Sequence, residues 1–369
     1  MNGQQRTVAV GLSGGVDSSV AAWLLKRAGW RVIGLTMSIW DGSVPIPDLG
    51  LSGCFGPGEA RDLEAARAVA ARIGIEHRVV PLAEEYKRTV LEYFRAEYLA
   101  GRTPNPCVRC NQRMKFGFLL EQARRLGIEF EAFATGHYAR VRFDEAGGRW
   151  QLLRGVDAAK DQSYFLSRLG QAQLAQLVLP LGERRKAEVK QLAREQGWED
   201  LAEKDESQDF IECRDYGVLF RPGDASPGEF VTRAGKVLGQ HRGIVHYTIG
   251  QRQGLGLGGG GTPWYVLEID APRNRVVVGP RAELYARELA AGDLNWVALA
   301  GPPAGPFRCQ VQIRQRHPAA AATVTAAPDG RLCAVFDEPQ LAVTPGQVAV
   351  FYAADAVWAS GTIEKPRGI

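Results

Sequence analysis

Between a β-rich run over residues 7–12 and a helical pattern over residues 18–28 stands Gly11-Leu12-Ser13-Gly14-Gly15-Val16-Asp17-Ser18-Ser19. The adjacent glycines let the backbone take positive φ and approach a ligand closely, so that N–H groups of the turn and helix point at an anion. The serine hydroxyls add donors, and Asp17 beside a phosphate implies a magnesium ion. A bare glycine pair is typical of an ordinary turn, but this combination favours a phosphate-binding loop. It is not a Walker A loop, because no Gly-Lys-Ser/Thr follows.

Strand and helix patterns alternate on both sides of this loop, over residues 1–204. The further β-rich runs are residues 31–37, 77–80 and 131–134, and the further helical patterns are residues 59–73, 86–99 and 111–126. This order predicts an α/β domain, a doubly wound parallel sheet with helices on both faces. Ligands of such sheets bind at the carboxyl ends of the strands, where the loop stands.

From residue 205 onward, short β-rich runs are separated by Gly, Pro and Asn/Asp turns. The runs within residues 231–278, among them 243–248, and those within 308–363 predict two small all-β modules, the last one barrel-like. We therefore expect three domains: a catalytic domain over residues 1–204, a central β-rich domain over 205–282 and a C-terminal β-barrel over 283–369.

Composition narrows the function classes. Hydrophobic residues make up 45% of the 369 residues and charged residues 23%, as in ordinary globular proteins. The net charge of +4 does not by itself indicate nucleic-acid binding. The apolar runs are far shorter than the roughly 20 residues of a membrane helix. The first residues show no signal-peptide pattern, so we expect a cytoplasmic protein with neither membrane nor DNA as a partner.

A second stretch carries a Cys-x-x-Cys: Gly101-Arg102-Thr103-Pro104-Asn105-Pro106-Cys107-Val108-Arg109-Cys110-Asn111. Cys110 is predicted at the start of a helix, where the helix dipole, Arg109, Arg113 and Lys115 favour the thiolate. Residues 101–125 contain six basic and one acidic side chain, which suits an anionic partner. The alternatives are a zinc knuckle or a buried pair. Zinc needs four ligands, and a single Cys-x-x-Cys supports it weakly.

Further motifs follow in order along the chain: Ala134-Thr135-Gly136-His137-Tyr138-Ala139-Arg140, Lys160-Asp161-Gln162-Ser163-Tyr164-Phe165-Leu166, Glu206-Ser207-Gln208-Asp209, Tyr247-Thr248-Ile249-Gly250-Gln251-Arg252, Gly254-Leu255-Gly256 and Pro345-Gly346-Gln347. With the two stretches above, this series resembles the tRNA-specific 2-thiouridylases over nearly the whole chain. That family belongs to the ATP pyrophosphatase-loop superfamily, whose catalytic fold is adenine nucleotide α-hydrolase-like.

The resemblance implies an ATP-dependent sulfurtransferase. It would adenylate the 2-oxygen of the wobble uridine of tRNA and replace it with sulfur, giving 2-thiouridine, AMP and pyrophosphate. Expected partners are the tRNAs for lysine, glutamate and glutamine, and a persulfide or sulfide donor such as a cysteine desulfurase. The target base must leave the stack to be reached.

The resemblance also assigns residues. The catalytic residues would be Cys110, Asp17 and a second cysteine. The ATP-binding residues would be Gly11, Leu12, Ser13, Gly14, Gly15, Val16, Asp17, Ser18, Met37 and Gly136. The tRNA-binding residues would be Asn105, Pro106, Cys107, His137, Lys160, Asp161, Gln162, Arg314, Gln315 and Gln347.

The chain departs from the family at two cysteine positions. Many relatives carry the second cysteine two residues after Ser-Gln-Asp, where this chain has Ile211, and the nearest cysteine is Cys213. Many also have Asp where this chain has Cys107. Two hypotheses follow. In one, Cys107, Cys110 and Cys213 ligate a [4Fe–4S] cluster that delivers the sulfur. In the other, Cys110 is the nucleophile and Cys213 carries a persulfide.

Three other functions compete with thiolation: another adenylating synthetase on the same nucleotide domain, a catalytically silent tRNA-binding protein, and a zinc-stapled RNA module. The first does not explain the cysteine loop. The intact Asp17, Ser13 and Cys110 argue against the second. The sequence assigns no chemical role to the remaining cysteines, Cys54, Cys309 and Cys333. Cys309 and Cys333 lie on predicted strands and are expected in the core.

Overall fold

The computed structural model describes residues 5–51, 53–204, 209–258 and 263–365. Residues 206–208 of one motif and 259–261 of the glycine-rich run lie outside the described residues. The described strands are β1 (Thr7–Gly11), β2 (Arg31–Ser38), β3 (Glu76–Pro81), β4 (Ala132–Ala134), β5 (Ala139–Asp144), β6 (Arg149–Arg154), β7 (Leu177–Val178), β8 (Gly228–Val231), β9 (Val237–His241), β10 (Tyr265–Asp270), β11 (Arg275–Gly279), β12 (Tyr285–Trp296), β13 (Phe307–Gln312), β14 (Ala320–Ala326), β15 (Leu332–Leu341), β16 (Val348–Ala353) and β17 (Ala356–Glu364).

The described α-helices are α1 (Val16–Arg27), α2 (Glu59–Ile73), α3 (Ala83–Tyr86), α4 (Glu92–Leu99), α5 (Pro106–Cys110), α6 (Leu119–Arg125), α7 (Ser163–Leu166), α8 (Gln171–Leu174), α9 (Lys186–Glu195) and α10 (Glu199–Glu203). Two π-helical segments, Lys87–Leu91 and Asn111–Phe118, connect α3 to α4 and α5 to α6. Helix α2 has the predicted bounds and ends at Gly74, whose φ of 71° only glycine adopts without strain.

The predicted doubly wound sheet is confirmed. Its five strands are parallel in the order β3-β2-β1-β4-β7. Because strand side chains alternate between faces, Val8 and Val10 pack on one side with α1, α2 and α9, while Ala9 packs on the other side with α4 and α6. Both faces are therefore buried under helices, as a parallel sheet requires.

The two all-β modules are also confirmed. The central one is a sheet in the order β10-β11-β8-β9. The C-terminal one is a closed six-strand barrel, because β12 pairs with β15 at one edge and with β17 at the other. The strand predicted over residues 243–248 is wrong. That segment holds a 3₁₀ turn, Ile244–His246, after Gly243 with φ 125°.

The β5–β6 hairpin connects the first domain to the barrel. It leaves the nucleotide domain after β4, and Leu153 of β6 pairs with Ala356 of β17. The eight-strand sheet that results ends with β6 and β5. Of the helices in the described part of the chain, none has the length and apolar character needed to cross a membrane.

Candidate active site

The phosphate-binding loop joins β1 to α1 in the predicted place. Gly14 has φ 73°, and a Cβ there would lie 2.8 Å from Ala65 Cβ and 2.9 Å from Ala66 N of α2. Both the backbone angle and the close approach to α2 therefore require glycine at this position. Gly15 is the N-cap of α1.

The serines of this loop hold its shape. Ser13 N–H donates to Ser18 Oγ at 3.2 Å, and Ser19 Oγ donates to the Gly15 carbonyl at 2.7 Å. Ser18 and Ser19 are buried, whereas Ser13 is exposed. The first N–H groups of α1 have no acceptor one turn earlier in the helix, so the loop presents donors to an anion. These groups fit the phosphates of ATP.

Gly136 closes the loop from the neighbouring strand. It follows β4, and a Cβ on it would lie 2.7 Å from both the Asp17 carbonyl carbon and Ser18 N. Met37, near the end of β2, is half-buried and pairs in register with Val80. The structure thus brings the proposed ATP-binding residues to one carboxyl edge of the sheet.

Asp17 has a protein partner that the sequence did not reveal. Lys186 Nζ, at the start of α9, lies 2.8 Å from Asp17 Oδ1 and 2.7 Å from Oδ2, and Tyr138 OH donates to Oδ1 at 2.7 Å. The sequence implied a magnesium ion from the position of Asp17 beside the phosphates. Here an ammonium group already neutralises that carboxylate, so Asp17 by itself does not require a magnesium ion.

Replacing Lys186 with methionine should destabilise the nucleotide domain. The Lys186 side chain is 9% exposed and that of Asp17 26%, so the variant leaves a largely desolvated carboxylate with one hydroxyl partner. Because the pair is still partly exposed to solvent, we expect the free energy of unfolding to fall by about 2 kcal/mol, which is less than for a fully buried pair. Calorimetry should show the melting temperature of this domain falling by roughly 4–8 °C. Adding Asp17→Asn should recover most of the loss, whereas an unchanged melting temperature in the single variant would contradict the argument.

A helix cap and side-chain hydrogen bonds from the barrel hold the cysteine loop. Asn105 caps α5 by accepting the Val108 N–H at 3.1 Å, with Pro106 at the first helical position. Gln347, from the barrel, donates its side-chain amide to the carbonyls of Thr103 and Pro104 at 3.0 and 2.9 Å. The Pro345-Gly346-Gln347 motif therefore clamps the cysteine loop from the barrel side.

The predicted thiolate character of Cys110 is wrong for this structure. Cys110 is the last residue of α5, one full turn from the helix start. Burial raises the pKa of the Cys110 thiol to about 12, and Lys115 opposes the shift. Arg109 is turned away, with its guanidinium carbon 5.2 Å from the centre of the Tyr93 ring. Desolvation therefore outweighs the basic residues that surround Cys110 in sequence.

Alkylation of Cys110 by iodoacetamide should accelerate about tenfold per pH unit between pH 7 and 10, because only the thiolate reacts. Peptide mass spectrometry of the protein without ligands measures this rate. Lys115→Met should slow the reaction throughout, since it removes the charge that lowers the pKa of Cys110. A rate that levels off below pH 8 would mean that the thiolate already dominates at neutral pH.

The ligand set Cys107, Cys110 and Cys213 does not fit a cluster in this conformation. Within the described residues, no three His, Cys, Asp or Glu side chains form a group able to hold a metal ion. Burial, with smaller effects of the Asp209 and Asp215 carboxylates, raises the pKa of the Cys213 thiol to about 11. The charges around Cys213 are therefore acidic.

The other proposed tRNA-binding residues lie where the nucleotide domain meets the barrel. Gln162 accepts the Tyr138 N–H at 2.9 Å, and Gln315 donates to the Asp161 carbonyl at 3.1 Å. The Asp161 carboxylate accepts from Arg154, Gly155 and Ser163, and its side chain is 8% exposed. Asp161 thus organises its own loop rather than presenting a carboxylate to solvent.

Three further residues of that set differ in environment. Arg314 lies in the same junction; burial lowers the pKa of its guanidinium, and it donates to the Leu341 carbonyl at 3.3 Å. Lys160 is half-exposed. His137 Nδ1 lies 2.7 Å from Thr135 Oγ1, and burial, with a smaller effect of Lys115, lowers the pKa of its imidazole to about 3. His137 is therefore neutral at physiological pH.

The sequence did not single out Lys186, the partner of Asp17, or Cys54, whose pKa Lys115 affects. No local pattern distinguishes Lys186 from other lysines on helices, and Cys54 belongs to none of the quoted motifs. Lys115 was noted only for its charge. In the structure that charge acts on Cys54, Cys107, Cys110 and His137 together.

A serine-glycine loop lies at the carboxyl edge of this parallel sheet, and the N-terminus of the helix that follows it has no side-chain cap. These features define a nucleotide-binding α/β domain. In agreement, a family model described as "tRNA methyl transferase HUP domain" matches residues 6–213. Models described as "tRNA methyl transferase PRC-barrel domain" and "Aminomethyltransferase beta-barrel domain" match residues 218–280 and 286–363.

Relatives over nearly the full length then specify the family. The chain is 43% identical over 358 residues to the tRNA-specific 2-thiouridylase MnmA of Endomicrobium trichonymphae, covering 96% of this chain and 98% of the relative. It is 46% identical over 360 residues to that of Moorella thermoacetica, with the same coverage. It is 46% identical over 367 residues to that of Chloroflexus aggregans, covering 98% and 99%. The chain belongs to the tRNA-specific 2-thiouridylase family.

Proposed function

We propose that this protein converts the wobble uridine of tRNA to 2-thiouridine, with ATP as the activating substrate. One observation supports the proposal: Gly136 and His137 connect the surroundings of the nucleotide loop to those of the cysteine loop. Gly136 touches the loop at Asp17 and Ser18, and the adjacent His137 is within electrostatic reach of Lys115, whose charge also acts on Cys110.

The chemistry has two steps. The 2-oxygen of uridine attacks the α-phosphate of ATP, and pyrophosphate leaves. The N–H groups of the loop stabilise the phosphate charge, and Lys186 holds Asp17 of that loop in place. A sulfur nucleophile then attacks C2, and AMP leaves with the former uridine oxygen. Adenylation is needed because the bare oxygen is a very poor leaving group. Magnesium is part of the proposal as the counter-ion of the ATP phosphates.

The tRNA would lie along the junction of the nucleotide domain and the barrel. Lys160 and Arg314 supply positive charge for phosphates, which positions the anticodon loop without reading bases. The flipped uridine would approach the Asn105-Pro106-Cys107 turn and His137. Because the substrate is tRNA, we place the reaction in the cytoplasm, with tRNAs for lysine, glutamate and glutamine as acceptors.

Incubation with ATP, magnesium, unmodified tRNA, cysteine and a cysteine desulfurase tests the proposal. Nucleoside analysis should show 2-thiouridine, with one AMP and one pyrophosphate for each. A tRNA with cytidine at the wobble position is the control and should give none. Pyrophosphate release without thiolation would favour another adenylating synthetase, and absence of both products would favour a silent tRNA-binding protein.

A further inference from the structure

Cys54 stands beside the segment where the family carries its second cysteine. Gly53 and Asp209 form a parallel β-bridge, and the Cys54 N–H donates to the Asp209 carbonyl at 3.3 Å. The Glu212 N–H donates to the Phe55 carbonyl at 3.0 Å. Two chain segments far apart in sequence therefore run side by side over residues 53–55 and 209–212.

The two segments also pack closely. A Cβ on Gly53 would lie 2.7 Å from the carbonyl carbon of Ile211, the residue at the family's cysteine position. Ile211 itself is 1% exposed and carries no thiol, whereas the neighbouring Cys54 is exposed. Cys54 therefore carries an exposed thiol on the segment that runs beside Ile211.

Cys54 shares its surroundings with the Cys-x-x-Cys. Phe55 stacks on Tyr86 with 5.2 Å between ring centres, and Tyr86 leads into the π-helical segment Lys87–Leu91, on which α5 packs. Desolvation raises the pKa of the buried Tyr86 phenol, and the charges of Cys110, Cys54 and Cys107 add to this shift.

The positive charge of Lys115 acts on the thiol of Cys54 and not on that of Cys213. Desolvation by the surrounding protein raises the pKa of Cys54, although its side chain is open to solvent. Lys115 opposes this shift, as it does at Cys110. Carboxylates disfavour a thiolate at both positions: Asp62, Asp209 and Glu212 act on Cys54, and Asp209 and Asp215 act on Cys213. Only at Cys54 does a lysine oppose them.

We propose that Cys54, rather than Cys213, is the second catalytic thiol and works together with Cys110 in the transfer of sulfur. The inference rests on the proposed function and deepens it. The exposed Cys54 receives the sulfur from a donor protein, and the less exposed Cys110 releases it to the tRNA.

The steps balance as a thiol–disulfide sequence. The Cys54 thiolate attacks the outer sulfur of the donor's persulfide, and the donor's thiolate leaves. The deprotonated Cys54 persulfide attacks C2 of the adenylated uridine, and AMP leaves. The Cys110 thiolate then attacks Cys54 Sγ, and the electron pair of the broken S–S bond goes to the sulfur on C2, which becomes the thiocarbonyl. A dithiol reductant supplies two electrons and two protons to reopen the Cys54–Cys110 disulfide.

Single-turnover assays with full-length variants test the assignment, using cysteine, a cysteine desulfurase, ATP, magnesium and a tRNA transcript. Cys54→Ser should lower 2-thiouridine formation at least ~100-fold, while Cys213→Ser, the matched control, should stay within about threefold of the unmodified protein. Without reductant, the unmodified protein should end with one disulfide, between Cys54 and Cys110, by peptide mass spectrometry. Cys54→Ser should keep tRNA-dependent pyrophosphate release, which shows that it folds.

Two results would overturn the assignment: full activity of Cys54→Ser, or a disulfide that joins Cys110 to Cys213. Activity that requires bound iron would overturn it as well. These failures are distinguishable from failure of the proposed function, in which the unmodified protein would form no 2-thiouridine with any sulfur donor, sulfide included.

Discussion

Serine in place of Cys110 is expected to lower the rate of 2-thiouridine formation by a factor on the order of 10³ or more, with little change in tRNA-dependent pyrophosphate release. A serine hydroxyl does not ionise at physiological pH and cannot form the disulfide that releases the sulfur. Adenylation uses the loop after β1 and needs no thiol. The variant therefore separates the two halves of the reaction.

The measurement is single-turnover nucleoside analysis beside a pyrophosphate assay on the same sample. Without reductant, the variant should accumulate tRNA joined to protein through a disulfide, which an external dithiol cleaves. Cys333→Ser is the matched control: Cys333 lies on β15 of the barrel, and its replacement should leave both rates unchanged. Equal loss of pyrophosphate release and thiolation would contradict the division of labour and point to a collapsed cysteine loop.

The alternating fold could be predicted because its signals are local. Buried strands such as β1 read as short apolar runs, and α2 ends at a glycine that only a left-handed C-cap explains. The strand predicted over residues 243–248 is wrong because that prediction also relied on a local signal alone. A short apolar run does not distinguish a strand from a buried turn, and here Gly243 bends the chain into a 3₁₀ turn.

Long-range pairing could not be predicted. The β5–β6 hairpin reads as part of the nucleotide domain, yet it pairs with β17, about 200 residues later in the chain. Asp17 meets Lys186 across 169 positions, and Cys54 meets Asp209 across 155. A motif fixes residues that are close in sequence, and it carries no information on which distant side chain neutralises or neighbours them.

Burial was the other quantity that the sequence lacked. The basic residues near Cys110 in the sequence, Arg109, Arg113 and Lys115, predicted that its thiol would be ionised. In the structure one of these turns toward Tyr93 and desolvation dominates, so the thiol is protonated. The motifs name candidate residues for the site, whereas the protonation states of those residues depend on packing.

Alanine in place of Gly136 is expected to slow tRNA-dependent pyrophosphate release by about 100-fold, because a displacement of roughly 1 Å at a reacting group has effects of this size. The added Cβ would lie 2.7 Å from backbone atoms of Asp17 and Ser18, closer than real Cβ contacts. Those atoms cannot retreat freely, since Lys186 and Tyr138 hold the Asp17 side chain. The loop must therefore shift relative to the phosphates it binds.

Steady-state kinetics of pyrophosphate release, at saturating tRNA and varied ATP, measure the effect of Gly136→Ala on both kcat and KM for ATP. Gly301→Ala is the matched control, because among the described residues nothing lies within 4 Å of its added Cβ. Overpacking should also cost about 1–3 kcal/mol of folding free energy, so the melting temperature should fall in Gly136→Ala alone. If ATP kinetics stay at the level of the control, the approach of Gly136 to the first turn of α1 is not maintained during catalysis, and the loop holds the nucleotide without support from the strand beside it.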